Sequence, residues 1–279
     1  ETEDRLMGRR LLANGVFGLA LCVLVFPVFY MVVMSFRPVG AILEGWQGVL
    51  SAPWTVEHYV TAFTRSQLGR WLGNTVLVAV ASTVICLALS LLAGYALARF
   101  RFPGAQCVSV LLLLAQIFPA PLLIIPVYLL MQVLGVRNPY VALIVAHVSF
   151  GLPFCVWMLA NYLRSVPREL EEAARVDGAS LPRAIWSVIV PVAAPGMAAA
   201  AIFVFLESWG DFIWAFVFAT RDKHYLLSVG IQQYSADVAA LQWGALLAMA
   251  TVYTLPVTLL FYLLQRLLVR GLVSGAITG

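Results

Sequence analysis

Charge is scarce in this sequence. Of its 279 residues only 11% are Asp, Glu, Lys or Arg while 62% are hydrophobic, so there is too little polar surface to cover a water-soluble globule of this size. Lysine is nearly absent, Lys223 standing alone beside sixteen arginines. No Gly-x-x-x-x-Gly-Lys-Ser/Thr string occurs, which excludes ATP hydrolysis through a phosphate-cradling loop of this chain. Paired histidine ligands, a Ser-His-Asp set and a His-Glu-x-x-His string are also missing, so a membrane-embedded enzyme has no catalytic constellation to use. Cys22, Cys86, Cys107 and Cys155 stand singly inside apolar stretches; that spacing supports neither a metal site nor a disulfide framework and reads as small packing residues. The net charge of +4 does not point to nucleic acid, because the arginines fall between apolar stretches and form no basic stripe.

What is present is length without charge. Arg10 to Arg37, Arg70 to Arg99, Arg101 to Arg137 and Arg137 to Arg164 each enclose a stretch free of Lys, Arg, Asp and Glu. Each is long enough to cross a bilayer, which needs roughly 20 apolar residues. The apolar runs predict spans near 11–35, 71–98, 105–134, 141–163, 198–220 and 244–264, an all-α integral membrane fold of six transmembrane helices in a single domain over 1–279. The first run is too long for a signal-peptide core and lacks a small-residue cleavage site, so it reads as an uncleaved anchor. Six spans put both termini on one side. Arg5, Arg9, Arg10, Arg99, Arg101, Arg164, Arg168, Arg175, Arg183, Arg266 and Arg270 then share that side, against Arg37, Arg65, Arg70, Arg137, Arg221 and Lys223 opposite. The positive-inside rule places both termini in the cytoplasm.

Pro119, Pro121 and Pro126 in the third span and Pro153 in the fourth predict kinks, since each removes a backbone donor. Lipid tolerates this where neighbouring protein satisfies the freed carbonyls. The outer loop, 37–70, contains Gly40, Gly45, Gly48 and Pro53 and has room for short helices at the external surface.

The inner loop, about 165–196, is the densest charged segment. Ser165 is placed to cap a helix whose early positions hold Pro167, Glu169, Glu171 and Glu172, favourable near the positive end of a helix dipole. Gly178 after Asp177 suits the left-handed closing position. Ser180 begins a second short helix over 181–190, with Pro182 in its first turn and Pro191 as its stop. Leu170, Ala173, Ala174 and Asp177 share one face of the first helix, and Ile185, Val188 and Ile189 form a stripe on the second. By periodicity alone this is an amphipathic hairpin lying on the membrane or against its own bundle.

Glu172, Ala173 and Ala174, then Gly178, then Val188, Ile189, Val190 and Pro191 resemble the EAA loop of permeases in ABC-type importers. That pattern ends in Ile-x-Leu-Pro, so Val188 and Val190 depart from it while staying apolar. Further stretches are similar to the maltose-transporter-like branch, across nearly the whole chain. They include Ser35, Phe36 and Arg37; Asn74 and Thr75; the run from Gly94 to Phe100; Trp209, Gly210, Asp211 and Phe212; and the run from Gly271 to Ala276. The branch has Asn at the place of Gly210 and commonly Lys near Thr278.

The resemblance implies a permease subunit in the bacterial cytoplasmic (inner) membrane, forming half of a pathway for a sugar or sugar-like solute. Its partners would be membrane lipid, a second permease subunit, two cytoplasmic ATPase subunits that bind ATP and Mg, and an external solute-binding protein. No catalytic residue, metal or cofactor is expected in this chain. The EAA loop would supply a coupling helix, with Glu172 and Asp177 offering polar contacts and Ala173, Ala174 and Gly178 permitting close packing. A phosphorylated polyol or other non-sugar solute is the alternative cargo. A secondary transporter is disfavoured by the short chain, the lack of internal symmetry and the loop motif.

For the solute path the charged residues within spans stand out, since each costs about 2.5–3.5 kcal/mol at a helix centre on insertion scales. Glu207 and Asp211 qualify, and their spacing of four predicts a shared helix face with Trp209 beside them. Either this face lines the cavity, with Trp209 or Trp214 stacking on a sugar ring, or the carboxylates bond to a partner permease or to backbone freed by kinks. Gln116, Asn161, Tyr128 and Gln132 are weaker candidates, and His147 reads as a hydrogen-bonded packing residue.

Overall fold

Apolar runs that cannot leave a backbone donor or acceptor bare in lipid must become helices, and helices are what the chain forms. The computed structural model describes residues 2–237 and 242–276, with side-chain surroundings over 13–48, 50–236 and 242–267. Thr278 and the side chains of Arg5, Arg9, Arg10 and Arg270 lie outside the described residues. No strand occurs among the described residues.

In chain order the helices are α1 (Thr2–Ser35), α2 (Val39–Leu43), α3 (Trp46–Ser51), α4 (Glu57–Arg65), α5 (Leu68–Arg99), α6 (Ala105–Ala115), α7 (Ile124–Val133) and α8 (Pro139–Ser165). They continue with α9 (Glu169–Val176), α10 (Leu181–Ala184), α11 (Val190–Trp209), α12 (Ile213–Phe218), α13 (Leu227–Asp237) and α14 (Trp243–Ala276). Among the described residues, five stretches are long and apolar enough to cross a membrane: Ala13–Ser35, Leu68–Arg99, Pro139–Ser165, Leu181–Trp209 and Trp243–Leu267. A sixth results if α6 and the stretch Ala120–Val133 count as one span.

That sixth span is broken rather than kinked. Its two halves are bent by 92°, because Pro119 is extended (φ −63°, ψ 122°) and a 3-10 turn, Ala120–Leu123, precedes α7. Two prolines two residues apart, Pro119 and Pro121, remove two donors from one turn, and the 3-10 bond from Leu122 N to Pro119 O (3.0 Å) takes over. The side chain of Gln116 donates to the carbonyl of Phe150 on α8 (3.1 Å) and holds the break against that helix. Pro153, by contrast, lies inside the uninterrupted α8.

The fifth apolar stretch differs from its expected outline at both ends. Pro191 does not stop a short helix: α10 passes through a π-turn, Ile185–Ile189, straight into α11. The wider turn, in which Val190 N donates to Ile185 O, accommodates a ring that supplies no donor one residue later. At its far end α11 stops at Trp209, so the expected span 198–220 is interrupted by Gly210 and resumes as the short α12. The loop between α8 and α10 is correspondingly shorter than 165–196.

Two compact units make up the chain, one built from Glu1–Leu68 and Ile231–Leu255, the other from Gly69–Gly230 and Pro256–Gly279. In the first unit Arg37 anchors the segment after α1. Its guanidinium lies 3.9 Å over the ring of Trp54 and donates to the carbonyl of Ala52. The imidazole Nε2 of His58 meets the carbonyl of Arg37 at 2.7 Å, and the hydroxyls of Ser35 and Tyr59 pair at 2.7 Å. Apart from Arg37 Nε, the polar groups named here are thus answered locally.

In the second unit α5, α8 and α11 pack around Cys86, Leu91, Tyr95, Cys155, Leu159, Ala193, Ala200 and Val204. Small residues let the backbones approach: a Cβ built on Gly94 would come within 3.1 Å of Leu159 Cβ and Ala160 N, and one on Gly196 within 2.8 Å of the Tyr162 ring. A second cluster joins Val78, Leu143, Ala146, Trp214, Leu226 and Val229. Beside it Asn74 donates to the carbonyls of Lys223 (3.1 Å) and Tyr225 (2.9 Å) and accepts from the Tyr140 hydroxyl (3.0 Å). The neighbouring Thr75 hydroxyl accepts from Leu227 N (2.7 Å). The pair Asn74 and Thr75 therefore fastens the loop before α13 to α5 and α8.

Because the α5–α8 approach rests on Gly94, Gly94→Leu is expected to overpack the interface and destabilise the protein by about 1–3 kcal/mol. Thermal unfolding in detergent checks this; a midpoint equal to that of the unsubstituted protein would contradict the packing described.

Candidate functional site

Three residues separate helix α9 from α8. The expected cap by Ser165 is not formed; its hydroxyl instead donates to the Tyr162 carbonyl (2.7 Å), and Arg168 occupies the N-cap position without a side-chain bond. The first turn is favoured instead by the charges of Glu169, Glu171 and Glu172 beside the positive end of the helix. Its end is closed by two bonds, Gly178 N to Arg175 O (3.1 Å) and Ala179 N to Ala174 O (3.0 Å), the paired pattern of a Schellman motif. Gly178 takes φ +86° there, a conformation that side-chain-bearing residues resist.

The three acidic residues of that turn face different surroundings. Glu171 is buried at 9% exposure. Its Oε1 accepts from the Tyr95 hydroxyl at 2.5 Å, and its Oε2 lies 3.4 Å from Arg99 Nε. Arg99, also 9% exposed, donates from Nη2 to Val166 O (3.1 Å). The last carbonyls of α5 are answered by arginines as well. Leu97 O accepts from Arg164 (3.5 Å), and Ala98 O and Arg99 O accept from Arg168 (3.4 and 3.3 Å). These are the acceptors a helix C-terminus leaves unpaired, at its negative end. A cavity of about 270 Å³ beside this cluster is lined by Tyr95, Arg99, Arg168, Glu171, Glu172 and Arg175.

Glu172, Ala173, Asp177 and Gly178 are exposed, and Ala174 is half-buried. Leu170 and Val176 stand out at 43% and 87% exposure. The small and apolar side chains of α9 are thus outside, and the one buried acid is inside.

A larger cavity, about 670 Å³, opens where the broken third span and the end of α11 face α8. It brings together Gln116, His147, Phe150, Glu207, Asp211 and Trp214. Glu207 is exposed toward it. Asp211 does not share a helical face with Glu207, because α11 ends between them. Its carboxylate caps α12, accepting from Trp214 N (3.1 Å) and Ala215 N (2.9 Å). Those two amides are orphans of a helix start. His147 Nε2 lies 3.4 Å from Asp211 Oδ2; the ring is buried and neither nitrogen has a hydrogen-bond partner, unlike the packing histidine expected. Trp209 and Asn161 line neither cavity. Trp209 is 3% exposed and stacked on Phe205 (5.3 Å between centroids). Asn161 is exposed and accepts from Arg164 (2.9 Å).

Sequence reasoning passed over Glu171, Tyr95 and Arg99. The signal available was the spacing of four that puts Tyr95 and Arg99 on one face of α5, together with an amphipathic helix carrying more acids than one exposed face holds. Among the described residues no group of three or more His, Cys, Asp or Glu comes together as a metal site would require.

Comparison with known proteins places this architecture. The diacetylchitobiose uptake system permease protein NgcG of Streptomyces coelicolor is 34% identical over 256 residues, covering 91% of this chain and 84% of that protein. The inner membrane ABC transporter permease protein YcjP of Escherichia coli is 31% identical over 94% of this chain and 95% of its own length. The trehalose/maltose transport system permease protein MalG of Thermococcus litoralis is 29% identical over 99% of each. A crystal structure of a bacterial ABC transporter involved in import of the acidic polysaccharide alginate contains a chain of the same fold. Its TM-score is 0.81 at 21% identity, covering 95% of this chain and 98% of that one. Residues 86–274 match the family described as binding-protein-dependent transport system inner membrane component. With two thirds of its length matched, the chain belongs to that family and is a multi-pass ABC-transporter permease of the inner membrane.

Proposed function

We propose that this permease forms half of the translocation pathway of an ATP-driven sugar importer, with the Arg99 end of α5 and both termini in the cytoplasm. The observation that carries the reading is the face of α9: Leu170, Ala173 and Val176 are exposed beside Glu172 and Asp177 on a helix outside the spans. Such a surface fits a cleft of a separate ATPase subunit, small and apolar side chains giving close approach and the two carboxylates giving polar contacts. ATP and Mg would be held by that subunit and its twin. A second permease would complete the pathway, and an external binding protein would deliver the solute. The gathering of Arg99, Arg164, Arg168, Arg175 and Arg183 near this hairpin supports the orientation. Helix α1 buries none of its apolar window within the chain, which suits contact with lipid or with the second permease.

The large cavity supports a neutral sugar over a phosphorylated polyol. Its lining carries the carboxylates of Glu207 and Asp211, the side-chain amide of Gln116 and the rings of Trp214 and Phe150, with no Lys or Arg among the described residues. Carboxylates accept hydroxyl protons and repel phosphate. Aromatic faces suit the apolar face of a pyranose ring.

Reconstituting the chain with its ATPase, second permease and binding protein in proteoliposomes tests the reading: labelled sugar is expected to accumulate only with ATP and binding protein, and accumulation without the ATPase would overturn it. Gly178→Val should leave the protein inserted but cost about 1–2 kcal/mol of hairpin geometry, weakening ATPase co-purification and uptake together; full uptake would contradict a docking role for the hairpin. Glu207→Ala removes a charged acceptor of about 1.5 kcal/mol, so the half-saturating sugar concentration is expected to rise roughly tenfold with ATPase association unchanged. An unaltered concentration dependence would remove Glu207 from the path.

A further inference from the structure

Within the reading of α9 as an ATPase-facing helix, neighbouring glutamates have opposite surroundings. Glu172 points out among the exposed residues, while Glu171 points in and is held by the Tyr95 hydroxyl (2.5 Å) and beside Arg99 (3.4 Å) on the last turns of α5. By covalent chain alone α9 is joined only to its sequence neighbours, to α8 through residues 166–168 and to α10 through residues 177–180. Both are non-helical joints, and the second turns on Gly178 at φ +86°. A helix on two such joints swings without moving the bundle.

We infer that Glu171 is a positioning residue that locks α9 to α5 through Tyr95 and Arg99, so that displacement of the hairpin is transmitted to the second span as well as to its sequence neighbours. Three observations converge on this. The carboxylate is buried and reached from two residues one helical turn apart, which resists both sliding and rotation. Arg99 bridges Glu171 to the α8–α9 linker through Val166 O, closing the first joint. Arg168, at the base of α9, donates to the final two carbonyls of α5, adding a second attachment parallel to the first. Since α5 also packs on α8 and α11 in the core, the lock makes hairpin and three helices a single moving body, the rigid-body element that alternating access requires.

The test uses the complete transporter in proteoliposomes and reads sugar imported per ATP hydrolysed. Glu171→Gln keeps size and an acceptor but removes the charge facing Arg99. It is expected to assemble with the ATPase and hydrolyse ATP while import per ATP falls at least about fivefold, the lower range for a coupling interaction. Tyr95→Phe, which deletes one hydroxyl, is expected to lower the ratio less, and the exchange of Glu171→Arg with Arg99→Glu to recover the greater part of it. The unsubstituted ratio in both single variants would overturn the inference, and so would loss of ATPase binding by Glu171→Gln, which would make Glu171 a docking residue like Glu172. Should Glu171→Gln not assemble for want of folding, Tyr95→Phe decides alone. A failure of the unsubstituted chain to bind any ATPase would overturn the broader reading and this inference with it, and is distinguished by being seen before any substitution.

Discussion

A carboxylate taken out of water is tolerated when it is paired and hydrogen-bonded, and the buried side chain of Glu171 meets both conditions on α5. Removing one partner of such a buried pair typically costs about 3–5 kcal/mol, because the other charge is left uncompensated. The arrangement therefore fixes where α9 stands. It also determines which face α9 shows: with Glu171 turned inward, the helical repeat puts Ala173, Val176 and Asp177 outward. The exposed face and the buried anchor are one consequence of one interaction.

A second constraint shapes the solute side of the molecule. A backbone break within an apolar environment persists where side chains answer the freed groups. Asp211 does so for two amides at the start of α12, while at the α6 break the Gln116 side chain ties the helix end to Phe150 O of α8. Both breaks border the same large cavity. The cavity thus lies where two helices stop, and Asp211, which makes one stop tolerable, joins Glu207 in giving it an acidic, hydroxyl-accepting wall. In this respect Asp211 serves as a cap and as a wall at once, and Glu207, uncommitted to backbone, is the carboxylate turned to the cavity.

These features were unequally legible in the sequence. Hydrophobic runs between arginines announce helices because lipid leaves the backbone no other state, and the resemblance of the segment around Glu172 to the EAA loop needed only identity and spacing. The interruption at Gly210 was hidden, since Glu207 and Asp211 at a spacing of four look like one helical face until the capping bonds of Asp211 are seen. Pro191 misled for the opposite reason: a stop signal in isolation became a π-turn because the core around Ile189 and Ala193 holds the helix on both sides of it. Glu171 was concealed by its neighbours. Three acids in a first turn read as a solvated, dipole-stabilised surface, and only the arrival of α5, 72 residues earlier at Arg99, makes one of them interior.

The central claim is that hairpin and second span move as one body. Spin labels at two exposed positions, Leu92 on α5 and Val176 at the end of α9, report it directly in the assembled transporter by pulsed dipolar distance measurement. The separation is expected to stay single and unchanged between nucleotide-free and ATP-trapped states, while the distance from Val176 to a label on the ATPase changes. A Leu92 to Val176 distance that shifts or splits with nucleotide, in the protein with Glu171 intact, would contradict it.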